Sequence, residues 1–281
     1  MLYGVPWLDA SLIALLGLLI GSFLNVVIHR LPIMMERQWK AEGAELLELE
    51  QPEQPPFNLM VPRSRCPHCE HQITWYENIP VLSYIGLGGK CSACKAPISL
   101  RYPLVEATVA ALFFYCVWVH GANATGFAWC AFSATLVAAA LIDWDTTLLP
   151  DDLTLPLMWL GLIASALHWT PLGLETSLWG AVGGYMSLWL VYWGFKLITG
   201  KEGMGYGDFK LFAALGAWFG WQALIPMILM ASVIGAVVGI AMKLNSSLRE
   251  GGYVPFGPFL AGAGLTALVV GPQALLQALG L

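Results

Sequence analysis

Leu141-Ile142-Asp143-Trp144-Asp145-Thr146-Thr147-Leu148-Leu149-Pro150-Asp151-Asp152 closes one apolar run, Phe127–Ile142, and opens another, Leu153–Leu167. Ionisable groups at membrane depth are costly to bury, so four carboxylates between two uncharged stretches call for a functional explanation. They need not share a role. Asp143 follows an unbroken apolar helix and should lie deepest, which makes it the catalytic candidate. Asp145 is next, with interfacial polarity or support of Asp143 as its expected part. Asp151 or Asp152 is expected to cap the helix beginning near Leu153, accepting its unpaired N–H groups.

Outward from this stretch the same alternation continues. Of the 281 residues, 58% are hydrophobic and 11% charged, against about 25% charged in a soluble domain. Six more apolar runs, Ser11–Ile28, Pro103–Val119, Leu178–Ile198, Phe209–Phe219, Ala223–Met242 and Phe259–Leu279, alternate with polar connections. Most approach the roughly 20 residues that cross a bilayer. The expected fold is an all-α polytopic membrane protein with about eight transmembrane helices and a cytoplasmic zinc-binding loop domain. The first run is expected to be a retained span rather than a signal peptide. No basic residue precedes it, and His29 and Arg30 follow it.

Charge sets the orientation. Counted from an outside N-terminus, Arg30, Arg37, Lys40, Arg63, Arg65, Lys90, Lys95 and Arg101 fall in the first inner loop. Lys196, Lys201 and Lys210 fall in or beside the third, and Lys243 and Arg249 in the fourth. The opposite loops, near Gly121, Thr170 and Gly220, have no Lys or Arg. The excess of Lys and Arg on one side places the first loop, Asp143–Asp152 and Gly200–Asp208 at the cytoplasmic face. The expected divisions are 1–29 as the first span, 30–102 as the cytoplasmic loop domain and 103–281 as the remaining membrane domain. The net charge of −5 carries no information about nucleic acid, and none is expected as a partner.

Within the loop, Cys66-Pro67-His68-Cys69 and Cys91-Ser92-Ala93-Cys94 form two C-x-x-C knuckles, with 70–90 between them. Each knuckle can present two sulfurs from one tight turn, and four thiolates suit tetrahedral zinc. Two disulfides are the alternative, and a reducing cytoplasm disfavours them. His68 or His71 could replace a ligand, though exposed histidines are the simpler expectation. Cys116 and Cys130 fall inside spans and read as core residues. The acidic stretch with Glu42, Glu45, Glu48, Glu50 and Glu53 reads as a solvated connection.

A second carboxylate site is Gly203-Met204-Gly205-Tyr206-Gly207-Asp208-Phe209-Lys210. Three alternating glycines let the backbone bend and approach another chain closely. Asp208 then sits at the mouth of the next apolar run, on the same face as Asp143. Two aspartates hydrolyse a peptide without a nucleophilic side chain. One, ionised, takes a proton from water while the other, protonated, polarises the scissile carbonyl. No G-x-S-x-G or H-E-x-x-H segment supports a serine or zinc peptidase instead.

Together these residues resemble the bifunctional type IV prepilin peptidases, whose leader peptidases belong to the G-x-G-D aspartyl proteases. The resemblance runs along essentially the whole chain. It takes in Gly21–Pro32, both knuckles, Asp143–Pro150, Thr199–Lys210 and Pro255-Phe256-Gly257-Pro258. It implies Asp143 and Asp208 as the catalytic pair. It also implies cleavage after a glycine that ends a short basic leader on prepilins and type II secretion pseudopilins, in the bacterial inner membrane. Members with the cysteine loop also methylate the new N-terminal amine with S-adenosylmethionine, and the resemblance associates Gly89 and Lys90 with that transfer. The four cysteines Cys66, Cys69, Cys91 and Cys94 are retained, so both activities are expected. Other readings are a peptidase without the methylase, a transporter with an aspartate proton relay, and a noncatalytic membrane assembly module.

Overall fold

A computed structural model of the chain describes residues 5–49, 55–245, 254–278 and 280. Among the described residues all regular structure is helical, apart from two isolated antiparallel bridges. Glu50, Glu53, Arg249 and Leu279 lie outside the described residues. The chain forms two compact units, Met1–Gly126 and Phe127–Leu281.

The first unit contains α1 (Pro6–Leu46), the short α2 (Leu82–Gly86) and α3 (Arg101–His120). α1 has 41 residues. At 1.5 Å per residue it is about 60 Å long, twice the hydrocarbon core. Its first half packs on α3 through small residues. A methyl added at Gly17 would lie 2.8 Å from Ala110 Cα, and one at Gly21 would lie 2.7 Å from Glu106 Cα. Such close approach is how helices associate where lipid offers no hydrophobic drive.

The second half of α1 carries the helix beyond the expected first span. The arrival of charge at His29 and Arg30 marks where the apolar face stops, not where the helix stops. The helix continues through Glu42 and Glu45, supported by one-turn pairs from Lys40 to Glu36 and from Gln38 to Glu42. The loop returns along it. Buried Arg30 donates to the carbonyls of Asn58 and Pro62, and Arg37 lies over the Phe57 ring at 4.4 Å.

The second unit runs from most of α4 (Ala124–Thr146) through α5 (Asp151–Ala166), α6 (Leu174–Thr199), α7 (Tyr206–Phe219), α8 (Trp221–Leu244), α9 (Gly257–Val270) and α10 (Pro272–Ala278). α7 is its centre, buried at every residue from Leu211 to Phe219. α6 crosses it at Gly180 and Gly216, where each glycine backbone occupies the place a side chain would need. Ser177 donates to the Ala217 carbonyl at 2.5 Å and Trp218 Nε1 to the Leu157 carbonyl at 2.9 Å. Trp129, Phe132, Trp218 and Phe219 form one aromatic cluster.

Among the described residues four helices, α1, α3, α4 and α8, are long and apolar enough to cross a bilayer. They make the chain a multi-pass membrane protein. The other four expected segments form α5, α6, α7 and α9, which are shorter or less apolar.

Candidate active site and metal centre

The two candidate aspartates lie in the second unit. Asp143 stands near the C-terminal end of α4, 4% exposed, and Asp208 in the first turn of α7, 7% exposed. Asp145, two residues nearer the helix end, is exposed. Packing buries both carboxyls, and Asp143 lies close enough to Asp208 for the two to interact electrostatically. Asp143 Oδ2 accepts the backbone N–H of Gly257 at 2.9 Å. Asp208 Oδ1 is buried and has no hydrogen-bond partner among the described residues.

Glycine makes this arrangement possible at two points. A methyl on Gly257 would lie 2.6 Å from Asp143 Oδ2, and one on Gly207 would lie 2.5 Å from Leu149 Cβ. The first lets α9 begin against the carboxylate. The second seats the start of α7 on the segment that follows α4. Gly257 was visible in the sequence only as part of Pro255–Pro258, with no role attached. Its glycine between two prolines was the available signal.

Asp151 and Asp152 do not cap a helix at Leu153. α5 begins at Asp151 after Pro150, and no side chain caps its end. The fixed φ of proline starts the helix early, leaving both aspartates in the first turn, where negative charge suits the helix dipole. Asp151 pairs with Lys210 at 2.6 Å, bracing α5 against α7.

The cysteine cluster lies in the first unit. The sulfurs of Cys66, Cys69, Cys91 and Cys94 all lie within 4.8 Å of one another. Cys66 to Cys94 is 3.8 Å and Cys69 to Cys91 is 3.9 Å. A disulfide requires about 2.05 Å, so all four are free. Four sulfurs at about 2.3 Å from a central zinc would be about 3.8 Å apart, so the spacing fits a tetrahedral metal.

The knuckles are built alike. The N–H of Cys66 donates to the His71 carbonyl, and that of Cys91 to the Ala96 carbonyl. Glu70 and Lys95 take left-handed φ values of 57° and 62°. Bridges Arg65–Gln72 and Lys90–Pro97 close the two turns.

The N–H groups of Cys94 and Ala93 aim at the Cys91 sulfur and lower its thiol pKa to about 6. At Cys69 the His71 N–H also favours the thiolate, yet loss of water and the neighbouring sulfurs push the thiol up to about 12. Four sulfurs this close, once deprotonated, could hold a metal ion among them. His71 is not among the grouped ligands; its Nε2 lies 3.2 Å from Glu77. Gly89, at φ 67°, packs against Tyr84, and Lys90 is exposed.

A profile of the bacterial peptidase A24 N-terminal domain matches residues 15–120, and one of the type IV leader peptidase family matches residues 130–240. Among curated proteins, a prepilin leader peptidase/N-methyltransferase of Stutzerimonas stutzeri is 56% identical over 92% of this chain and 89% of its own length. One of Pseudomonas aeruginosa is 56% identical with the same coverage, and one of Aeromonas hydrophila is 52% identical over 96% of this chain and 93% of its own. No solved structure matches the chain.

Proposed function

The chain belongs to the type IV leader peptidase family, and from that premise we propose that Asp143 and Asp208 are the pair with which it cleaves prepilin leaders. It is an enzyme of two activities, prepilin leader cleavage and N-methylation of the new N-terminus. The observation that carries the assignment of residues is Asp208 Oδ1, buried without a partner beside the charge of Asp143. Buried polar atoms are almost always paired, so an orphaned one marks a place for a reacting group.

Asp143, steadied by the Gly257 N–H, is assigned the ionised part and takes a proton from the attacking water. Asp208, protonated, donates to the scissile carbonyl as the tetrahedral intermediate forms. The proton on Asp143 then passes to the leaving amine. The C–N bond breaks, and Asp208 regains its proton from the collapsing diol.

In the loop, Cys66, Cys69, Cys91 and Cys94 are proposed to hold zinc. Four thiolates leave no open position, so the metal fixes shape rather than reacting. Bound S-adenosylmethionine would supply a methyl on a sulfonium. The free amine of the new N-terminus would be the group that receives that methyl. We assign methyl transfer to the 30–102 loop domain and cleavage to 103–281, with eight crossings and the site open to the cytoplasm. That orientation suits a substrate whose basic leader stays inside. Pseudopilins are proposed as further substrates, and bilayer lipid as the protein's surroundings.

The test is prepilin cleavage by purified Asp143→Asn and Asp208→Asn, with methylation of a pre-cleaved pilin in parallel. Both variants should lose cleavage and keep methylation. Full cleavage by either removes that aspartate from the mechanism.

A further inference from the structure

After the first knuckle the chain turns through a short 3-10 segment, Trp75–Asn78, and enters α2. Between them lies a cleft of about 420 Å³, lined by Tyr76, Glu77, Leu82, Ser83, Gly86 and Ser92 among others. Clefts that hold small organic ligands span roughly 300–1,000 Å³. The walls are mostly apolar, with two hydroxyls and one carboxylate.

The carboxylate is fixed. The Glu77 side chain is 8% exposed and accepts from the Thr74 N–H at 2.8 Å and the Thr74 hydroxyl at 2.7 Å. His71 Nε2 stands 3.2 Å away, and Ser92 of the second knuckle also bonds to it. Glu77 therefore ties both knuckles to the cleft. The far end is also pinned. Val81, strained at φ 60°, gives its N–H to the buried Glu106 carboxylate of α3 at 2.7 Å. Backbone strain of this kind persists only where the surroundings hold it.

We propose that this cleft is the seat of the methyl donor, an inference that rests on the methyltransferase reading above. The parts of an adenosyl sulfonium correspond to what lines it. Tyr76 and Leu82 offer apolar surface for a purine, Ser83 and Ser92 offer hydroxyls for a ribose, and Glu77 offers negative charge for the sulfonium. Buried carboxylate in an apolar wall favours a cation over a neutral ligand of the same shape.

The cleft also gives Gly89 a role that involves no contact with the donor. A methyl there would lie 2.8 Å from the Tyr84 hydroxyl, which donates to the Ile98 carbonyl. Gly89 lets the chain turn behind α2 and so sets the back of the cleft.

Gly86 provides the test. Nothing lies within 4 Å of a methyl added there, and its backbone is helical. Gly86 lines the cleft and the first side-chain atom added there meets nothing, so a tryptophan at that position is the variant expected to occupy the cleft. Binding of S-adenosylhomocysteine, which cannot react, would be measured by calorimetry on the full-length, zinc-loaded protein in detergent. Gly86→Trp should bind at least 20-fold more weakly than wild type, and Gly86→Ala within 2-fold, with metal content and prepilin cleavage unchanged in both. A photoreactive azido-adenosyl analogue on the wild-type protein should label peptides within 75–92.

Wild-type affinity in Gly86→Trp, or labelling confined to other peptides, overturns the proposal. Failure of the wild-type protein to bind any adenosyl ligand instead overturns the methyltransferase reading on which it rests.

Discussion

Gly257→Ala should cripple cleavage while leaving the rest of the molecule intact. The added methyl would lie 2.6 Å from Asp143 Oδ2, 3.1 Å from its Cγ and 2.9 Å from Leu149 Cδ1. It falls about 0.4 Å short of the 3.0 Å below which side-chain contacts essentially never occur. Either the carboxylate retreats or the start of α9 does, and both stretch the 2.9 Å bond from the Gly257 N–H. A hydrogen bond to a charged group contributes about 1.5–3 kcal/mol. At a factor of ten per 1.36 kcal/mol, its loss from the reacting geometry lowers kcat about 10- to 100-fold.

The assay is leader cleavage of a purified prepilin in liposomes, with methylation of pre-cleaved pilin measured on the same preparation. Methylation should be unchanged. Gly262→Ala on the same helix is the control, since nothing lies within 4 Å of its added methyl. Wild-type cleavage by Gly257→Ala, or equal loss in Gly262→Ala, would refute the reasoning.

The metal should be present at one zinc per chain. Cys91→Ser should lose it and lose methylation before cleavage, checked by metal analysis beside both activities. The Asp151–Lys210 pair is half-exposed on the aspartate side. Such pairs are worth about 0–1 kcal/mol, so Lys210→Gln should shift thermal unfolding in detergent by only a few degrees. Hydrogen bonds from Ser92, Thr74 and His71 hold the Glu77 carboxyl down to about 2 from 4.5. Its folded pKa is the lower one, so its stabilisation is complete above about 4.5 and is lost as pH falls towards 2. Hydrogen exchange at the Thr74 and Glu77 amides should accelerate through that window in wild type and show no such step in Glu77→Gln.

The four-cysteine cluster was legible in the sequence because its chemistry is local. C-x-x-C spacing brings two sulfurs together within one turn, and the structure adds only that the two turns are copies of one another. The depth of Asp143 was legible too, because a carboxylate at the end of an unbroken apolar helix has few places to go. What sequence patterning missed depends on contacts far apart in the chain. The Gly257 N–H reaches Asp143 across 114 positions, and the Gly180–Gly216 crossing that buries α7 leaves no periodic signature.

The continuation of α1 beyond the first apolar run was not legible for another reason. Hydropathy reports where a helix leaves apolar surroundings, and Glu36–Lys40 pairing carries this one further. Asp151 resembled a cap because caps and first-turn acids share the same residue types, and Pro150 decides between them.

The most direct test of the paired-aspartate account compares Asp143→Asn, Asp208→Asn and the double variant in single-turnover prepilin cleavage. Residues that act as one unit lose nearly the whole rate enhancement with the first substitution. The account predicts that the double variant is no slower than the slower single variant, with methylation retained in all three. Losses that multiply across the two positions, or substantial cleavage left in either single variant, would contradict it.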